Sequence, residues 1–205
     1  MKTPSRKRTD AELLASYAAG DEDAFRLIVN RYKNGLYMFL RRFLNRHDLI
    51  EDVFQETFLQ LFTSRDSFDT SRPLRPWLFT IAANKAKDAL RKQQRTSAIP
   101  IGTIVNSEEM SFGDMLNTIT ADEKVPYDNL ERDETALRVR EVISNMPENL
   151  REILILAYFN KFSYKQMADI LSIPIGTVKS RLHTAVGRFT KDWKTTVGST
   201  KRWQS

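Results

Sequence analysis

The residues with chemistry to offer cluster in three short stretches. In "SIPIGTVKSRLHTAVGRF", residues 172–189, Ser180, His183 and Thr184 fall on one side of a helix, flanked by Lys179, Thr177, Arg181 and Arg188. At 100° per residue, Val178, Leu182, Ala185 and Phe189 share the opposite side. Short hydroxyl and cationic side chains on a narrow ridge suit the base edges of a major groove. In "RPLRPWLFTIAANKAKDALRKQQR", residues 72–95, Thr80, Asn84, Lys87 and Arg91 line one side, with Lys92 and Arg95 nearby. Asn adds little to helix propensity, so Asn84 amid cations points to a contact. The polar stretch before it, "SRDSFDTSR" (64–72), carries Phe68 and ends in Arg72. Such a ring can hold an unstacked base while cations hold the phosphates. The third stretch, "LIEDVFQETFLQLF" (49–62), places Glu51, Asp52, Gln55, Glu56, Leu59 and Gln60 on one face. An acidic face repels DNA and suits a basic protein partner, with Leu59 as an apolar anchor.

Reaction chemistry finds little support. The chain has no Cys, which excludes disulfides and Cys-ligated metal sites. Its two His, His47 and His183, are far apart, and no paired Asp/Glu motif suggests a metal-binding scaffold. No catalytic residue, metal or cofactor is expected. The formal net charge of +6 favours a polyanionic partner. The N-terminal "MKTPSRKRTD" is followed by no apolar run, and nothing approaches the roughly 18 apolar residues of a membrane span. A soluble, cytoplasmic protein is expected.

These stretches need helices to carry them, and the apolar pattern has the helical period almost throughout. It predicts helices near 10–19, 22–45, 48–63 and 75–95, then 131–145, 148–160, 163–171 and 175–193. In the third, Ile50, Val53, Phe54, Phe58, Leu61 and Phe62 form the apolar side; in the fourth, Leu78, Ile81, Ala82 and Ala89 face inward. Pro76 fits the first turn of that fourth helix. Ser163 and Gln166 have capping-box spacing. Met167, Ile170 and Leu171 make the next stripe, Ala168 allows a close crossing, and Pro174 starts the following helix. The expected class is all-α: two small helical domains, 10–95 and 131–193, the second a helix-turn-helix. A basic tail (1–9) and a polar tail (194–205) flank them. Residues 96–130 read as a flexible acidic linker: from Thr96 to Glu134 there are nine acidic residues and two basic ones.

The motifs together resemble the extracytoplasmic-function (ECF) sigma factors of bacterial RNA polymerase, part of the primary sigma superfamily. "IEDVFQETFLQLF" is similar to that family's polymerase-binding helix. "RPWLFTIAANKAKDALRK" is similar to its minus-ten helix. "MPENLREILILAYFNKFSYKQMADILSIPIGTVKSRLHTAV" is similar to its minus-thirty-five helix-turn-helix. The resemblance implies polymerase contacts at Asp52, Gln55, Glu56 and Leu59. It implies minus-ten contacts at Asn84, with Lys87 and Arg91 near the strand and residues 64–74 as the base-capturing loop. It implies minus-thirty-five contacts at Lys179, Ser180, His183 and Thr184, with Arg181 beside them. Many relatives read "SRLxRARxxL" where this chain has "SRLHTAVGRF", so Thr184 and Val186 stand in place of two Arg. The implied function is promoter-specific initiation without catalysis. Core RNA polymerase and promoter DNA are the implied partners. Family members are often held by an anti-sigma protein, which is a further candidate partner. The competing reading is a dimeric helix-turn-helix regulator acting without polymerase, which leaves the first domain unexplained. A nucleic-acid-processing enzyme is the other competitor.

Overall fold

The computed structural model describes residues 8–64, 68–69, 72–96 and 134–200 of the 205-residue chain. The predicted acidic linker and most of the predicted base-capturing loop lie outside the described residues. All described regular structure is helical, in two units.

The first unit holds α1 (Asp10–Ala18), α2 (Glu22–Phe43), α3 (His47–Thr63) and α4 (Leu74–Thr96). Thr9 and Glu12 form a capping box that starts α1, and Asp21 caps α2 by accepting from the Ala24 amide at 3.2 Å. Gly20, at φ +97°, supplies the left-handed residue between the two helices. The 22 residues of α2 make a rod of about 33 Å, long enough to back the whole unit. Its inner face carries Phe25, Ile28, Leu36, Phe39, Leu40 and Phe43, all at most 1 % exposed. Against it pack α1, α3 and α4. Burying each such side chain contributes about 1.5–3 kcal/mol, well above a typical surface ion pair. Position of the recognition helices is therefore set by this apolar packing.

The second unit holds α5 (Glu134–Ser144), α6 (Glu148–Leu154), α7 (Tyr164–Leu171) and α8 (Ile175–Thr200). The helix predicted over 148–160 is not uniform. Residues Ile155–Phe159 are wound as a π turn, closed where the Asn160 amide donates to the Ile155 carbonyl at 3.1 Å. The Asn160 side chain donates to the same carbonyl at 3.2 Å. An extra residue in a turn rotates the chain beyond it. Tyr158 and Phe159 both remain exposed.

The helix-turn-helix forms as its pattern predicts. Ser163 Oγ accepts from the Gln166 amide and Gln166 Oε1 accepts from the Ser163 amide, at 3.2 and 2.9 Å. Ser172, at φ +53°, ends α7 in the left-handed region. Pro174 then precedes α8. Val178, Leu182 and Ala185 are buried and Phe189 is half-buried against the same core. The predicted end of α8 near 193 falls short, because the helix continues to Thr200. Trp193 stacks on Phe189 with centroids 6.0 Å apart, and Arg188 pairs with Asp192 at 2.7 Å. Thr195 and Thr196 donate back to the carbonyls of Lys191 and Asp192, so the polar composition decorates a helix here.

The units also pack on each other. Helix α7 lies against α4, and α2 touches α5, α6 and the π turn. The buried apolar side chains form one continuous cluster running through both.

Candidate nucleic-acid interface

Helix α8 presents its ridge because its apolar stripe is spent on α5, α6 and α7. Lys179, Ser180, His183, Thr184 and Arg188 are exposed, while Thr177 and Arg181 are half-buried. Ser180 Oγ donates to the Thr177 carbonyl at 3.1 Å, and Thr184 Oγ1 donates to the Ser180 carbonyl at 3.0 Å. With their protons so placed, both hydroxyls offer lone pairs outward, toward donors such as base amino groups. Lys179 supplies a flexible cation beside them. Arg181 is turned inward and its charge acts on Glu152.

The ridge on α4 is only partly open. Asn84 and Arg91 are exposed, and Arg91 is paired with Asp88 at 2.9 Å. Thr80 is half-buried and donates to the Pro76 carbonyl at 2.9 Å. Lys87 does not point freely outward as the helical spacing predicts. Its ammonium lies 3.4 Å from Oε1 of Glu152 on α6, and its side chain is 19 % exposed. Phe68 packs on Trp77 with ring centroids 4.5 Å apart, so one face of its ring is occupied. Arg72 is exposed and 3.4 Å from Asp69. Trp77 was not among the expected site residues. Its adjacency to Phe68 follows from a loop folding back onto the first turn of α4, which periodicity does not report.

The third face lies on α3. Asp52, Gln55 and Glu56 are exposed and Leu59 is half-buried, while Ile50, Val53, Phe54, Phe58 and Leu61 are buried beneath them. Asp52 and Glu56 line a groove between α3 and α4 together with Lys85 and Lys92. Lys85 bonds Glu56 at 3.0 Å, giving this acidic face a cationic neighbour.

Glu152 is the buried titratable group closest to these surfaces. Burial is the main cause that pushes its carboxyl above the ordinary value. Lys87 opposes that shift, Glu148 adds to it and Arg181 lowers it. Arg42 is held below the ordinary guanidinium range by burial, with Arg41 and Arg140 adding repulsion. Among the described residues no group of three or more His, Cys, Asp or Glu could hold a metal ion. No described helix is long and apolar enough to cross a membrane.

Comparison with known proteins matches the two units to two family models. Residues 28–96 match Sigma-70 region 2, and residues 136–188 match Sigma-70, region 4. The chain is 33% identical over 164 residues to the ECF RNA polymerase sigma factor SigW of Bacillus subtilis (strain 168), covering 80% of this chain and 86% of that one. It is 34% identical over 177 residues to the ECF RNA polymerase sigma-E factor of Haemophilus influenzae (strain ATCC 51907 / DSM 11121 / KW20 / Rd), covering 86% and 91%. Among solved structures it is similar to the sigma factor RpoE of Bartonella quintana, in complex there with the anti-sigma factor NepR. That match has a TM-score of 0.58 and 26% identity, and it covers 82% of this chain and 93% of the other.

Proposed function

The chain belongs to the ECF RNA polymerase sigma factors, and on that premise we propose how its three faces divide the work of promoter-specific initiation. As a sigma factor it binds core RNA polymerase and promoter DNA, and it catalyses no reaction itself. Asp52, Gln55, Glu56 and Leu59 on α3 dock on the polymerase. Asn84, Lys87 and Arg91 on α4, with Thr80, Arg72 and Phe68, take the unpaired strand at the minus-ten element. Lys179, Ser180, His183 and Thr184 on α8 read the minus-thirty-five duplex, with Thr177, Arg181 and Arg188 at its backbone.

One observation carries this division. An acidic face and an Asn-centred cationic ridge sit on two packed helices of one rigid unit, α3 and α4. A bound polymerase would thereby hold α4 in fixed register to its own DNA channel. The Thr184 and Val186 departure also fits α8. Val186 is half-buried against the core, and Arg188 is tied to Asp192. Upstream specificity then rests on hydroxyl acceptors and His183 more than on arginine forks. An anti-sigma protein is a further proposed partner, supported by the complex of the Bartonella relative.

Run-off transcription with core polymerase on a promoter library tests the whole reading. Promoter-dependent transcripts that appear only when this chain is added are expected. Initiation no better than core polymerase alone on every template would refute it.

A further inference from the structure

Lys87 belongs to the strand-reading set on α4, yet it is engaged with the other unit. Its ammonium faces Glu152 at 3.4 Å, and the Glu152 side chain is only 6 % exposed. A carboxylate oxygen placed there occupies the position that a phosphate oxygen would take. The contact is one of a set. Arg75 on α4 donates to the Asn160 carbonyl at 2.6 Å and lies over the Phe162 ring at 4.2 Å. Phe162 meets Phe79 edge to face at 4.9 Å. Arg42 on α2 covers Phe159 at 4.3 Å, and Arg151 on α6 covers Phe43 at 5.2 Å. At 100° per residue, Arg75, Phe79, Ala83 and Ala86 share one side of α4, and the small Ala83 and Ala86 are fully buried. Lys87 sits at the edge where this side meets the strand-reading ridge. The α8 ridge, by contrast, faces solvent in the same arrangement.

We propose that in the free protein the region 4 unit docks on α4 through Phe162 and masks Lys87 with Glu152, so that strand capture at the minus-ten element requires the two units to part. This rests on the assignment of Lys87 to the strand. The docking is driven by the aromatic and guanidinium contacts. Glu152 supplies the charge that stands in for DNA. One lysine therefore has two exclusive partners, and the population of the docked form sets how readily free protein takes single-stranded DNA. Its apparent affinity is reduced by the fraction of molecules that are open.

The chain has no Cys, so a labelled pair can be introduced at the exposed Glu22 and Asp169 without competing thiols. Single-molecule energy transfer on the full chain is expected to show one high-transfer state. Phe162→Ser should shift it to low transfer. Arg75→Gln, a variant of the other unit, should do the same and keeps the test alive if the first variant folds poorly. A mixed-sequence single-stranded oligonucleotide serves as probe, because phosphate contacts are sequence-independent. By anisotropy Phe162→Ser should bind it about tenfold more tightly if docked molecules outnumber open ones about ten to one. Adding Lys87→Gln should erase that gain. A wild-type chain already in the low-transfer state, or an opened variant with no gain in affinity, overturns the masking. If the wild type still directs run-off transcription when that happens, the sigma assignment stands and only the masking falls. If it directs none, the assignment of Lys87 falls first.

Discussion

Glu56 offers a way to separate polymerase binding from folding. It is bonded to Lys85 at 3.0 Å, with side-chain exposures of 59 % for Glu56 and 25 % for Lys85. An ion pair so open to solvent contributes about 0.2–1 kcal/mol. Glu56→Lys removes that bond and sets two cations together, so the fold should lose about 1 kcal/mol of a total near 5–15 kcal/mol. At a water-excluded contact with a basic partner, loss of a charge partner costs about 2–5 kcal/mol. Even the lower figure is a loss of about 30-fold in affinity. The exchange Glu56→Lys with Lys85→Glu restores the internal pair while leaving the polymerase-facing charge reversed. Urea unfolding should return to wild type in the double variant. Titration of labelled protein with core polymerase should stay weak, and the deficit should shrink as salt rises. Assembly restored to the wild-type level by the exchange would refute the reasoning, because Glu56 would then act only through the packing of α3 on α4.

Asn84→Ala should impair strand opening far more than holoenzyme assembly, read by permanganate reactivity at the start site; unchanged reactivity would remove Asn84 from the minus-ten set. His183→Ala should alter preference at one upstream base in binding-site selection with holoenzyme, since His183 is exposed on the α8 ridge. Ser163→Ala should cost about 1 kcal/mol by urea unfolding, with faster amide exchange along α7, because it removes one half of the capping box. The docked arrangement should also depend on pH through Glu152. Burial raises its carboxyl above the ordinary 4.5, despite Lys87 on α4 and Arg181 on α8, and with Glu148 on its own helix adding to the shift. A raised value means that the docked form holds the proton better than the open one. Its stabilisation is complete below the ordinary carboxylate value and is lost as pH rises through the elevated one. The high-transfer fraction should fall over that rise, and Glu152→Gln should stay docked and flatten the profile.

The order and type of the helices were legible because each carries a stripe of period 3.6 that finds a core. Val178, Leu182 and Ala185 are buried where the spacing puts them, and Ser163 with Gln166 starts α7 as the capping pattern requires. The α8 ridge was legible for the same reason, being whatever the apolar stripe leaves over. The docking of the units was not. Arg75, Phe79, Phe162 and Glu152 belong to segments far apart in the chain, and a local pattern cannot say which buried carboxylate meets which lysine. Glu152 does interrupt an apolar run, "EILIL", which marks it as a buried acid needing a cation without naming one. The π turn was hidden too, since one extra residue per turn leaves the apolar run intact. The length of α8 was obscured by Thr and Gly, whose weak helix propensity is offset by the stacked Trp193 and the Arg188–Asp192 pair.

The continuous cluster of buried side chains has a thermodynamic consequence. Two units that share a single apolar interior cannot melt independently, so scanning calorimetry of the free chain should give one endotherm whose van't Hoff and calorimetric enthalpies agree. Prising the units apart exposes Phe162 and its neighbours to water and should divide that endotherm into two, each with the smaller enthalpy of a small helical domain.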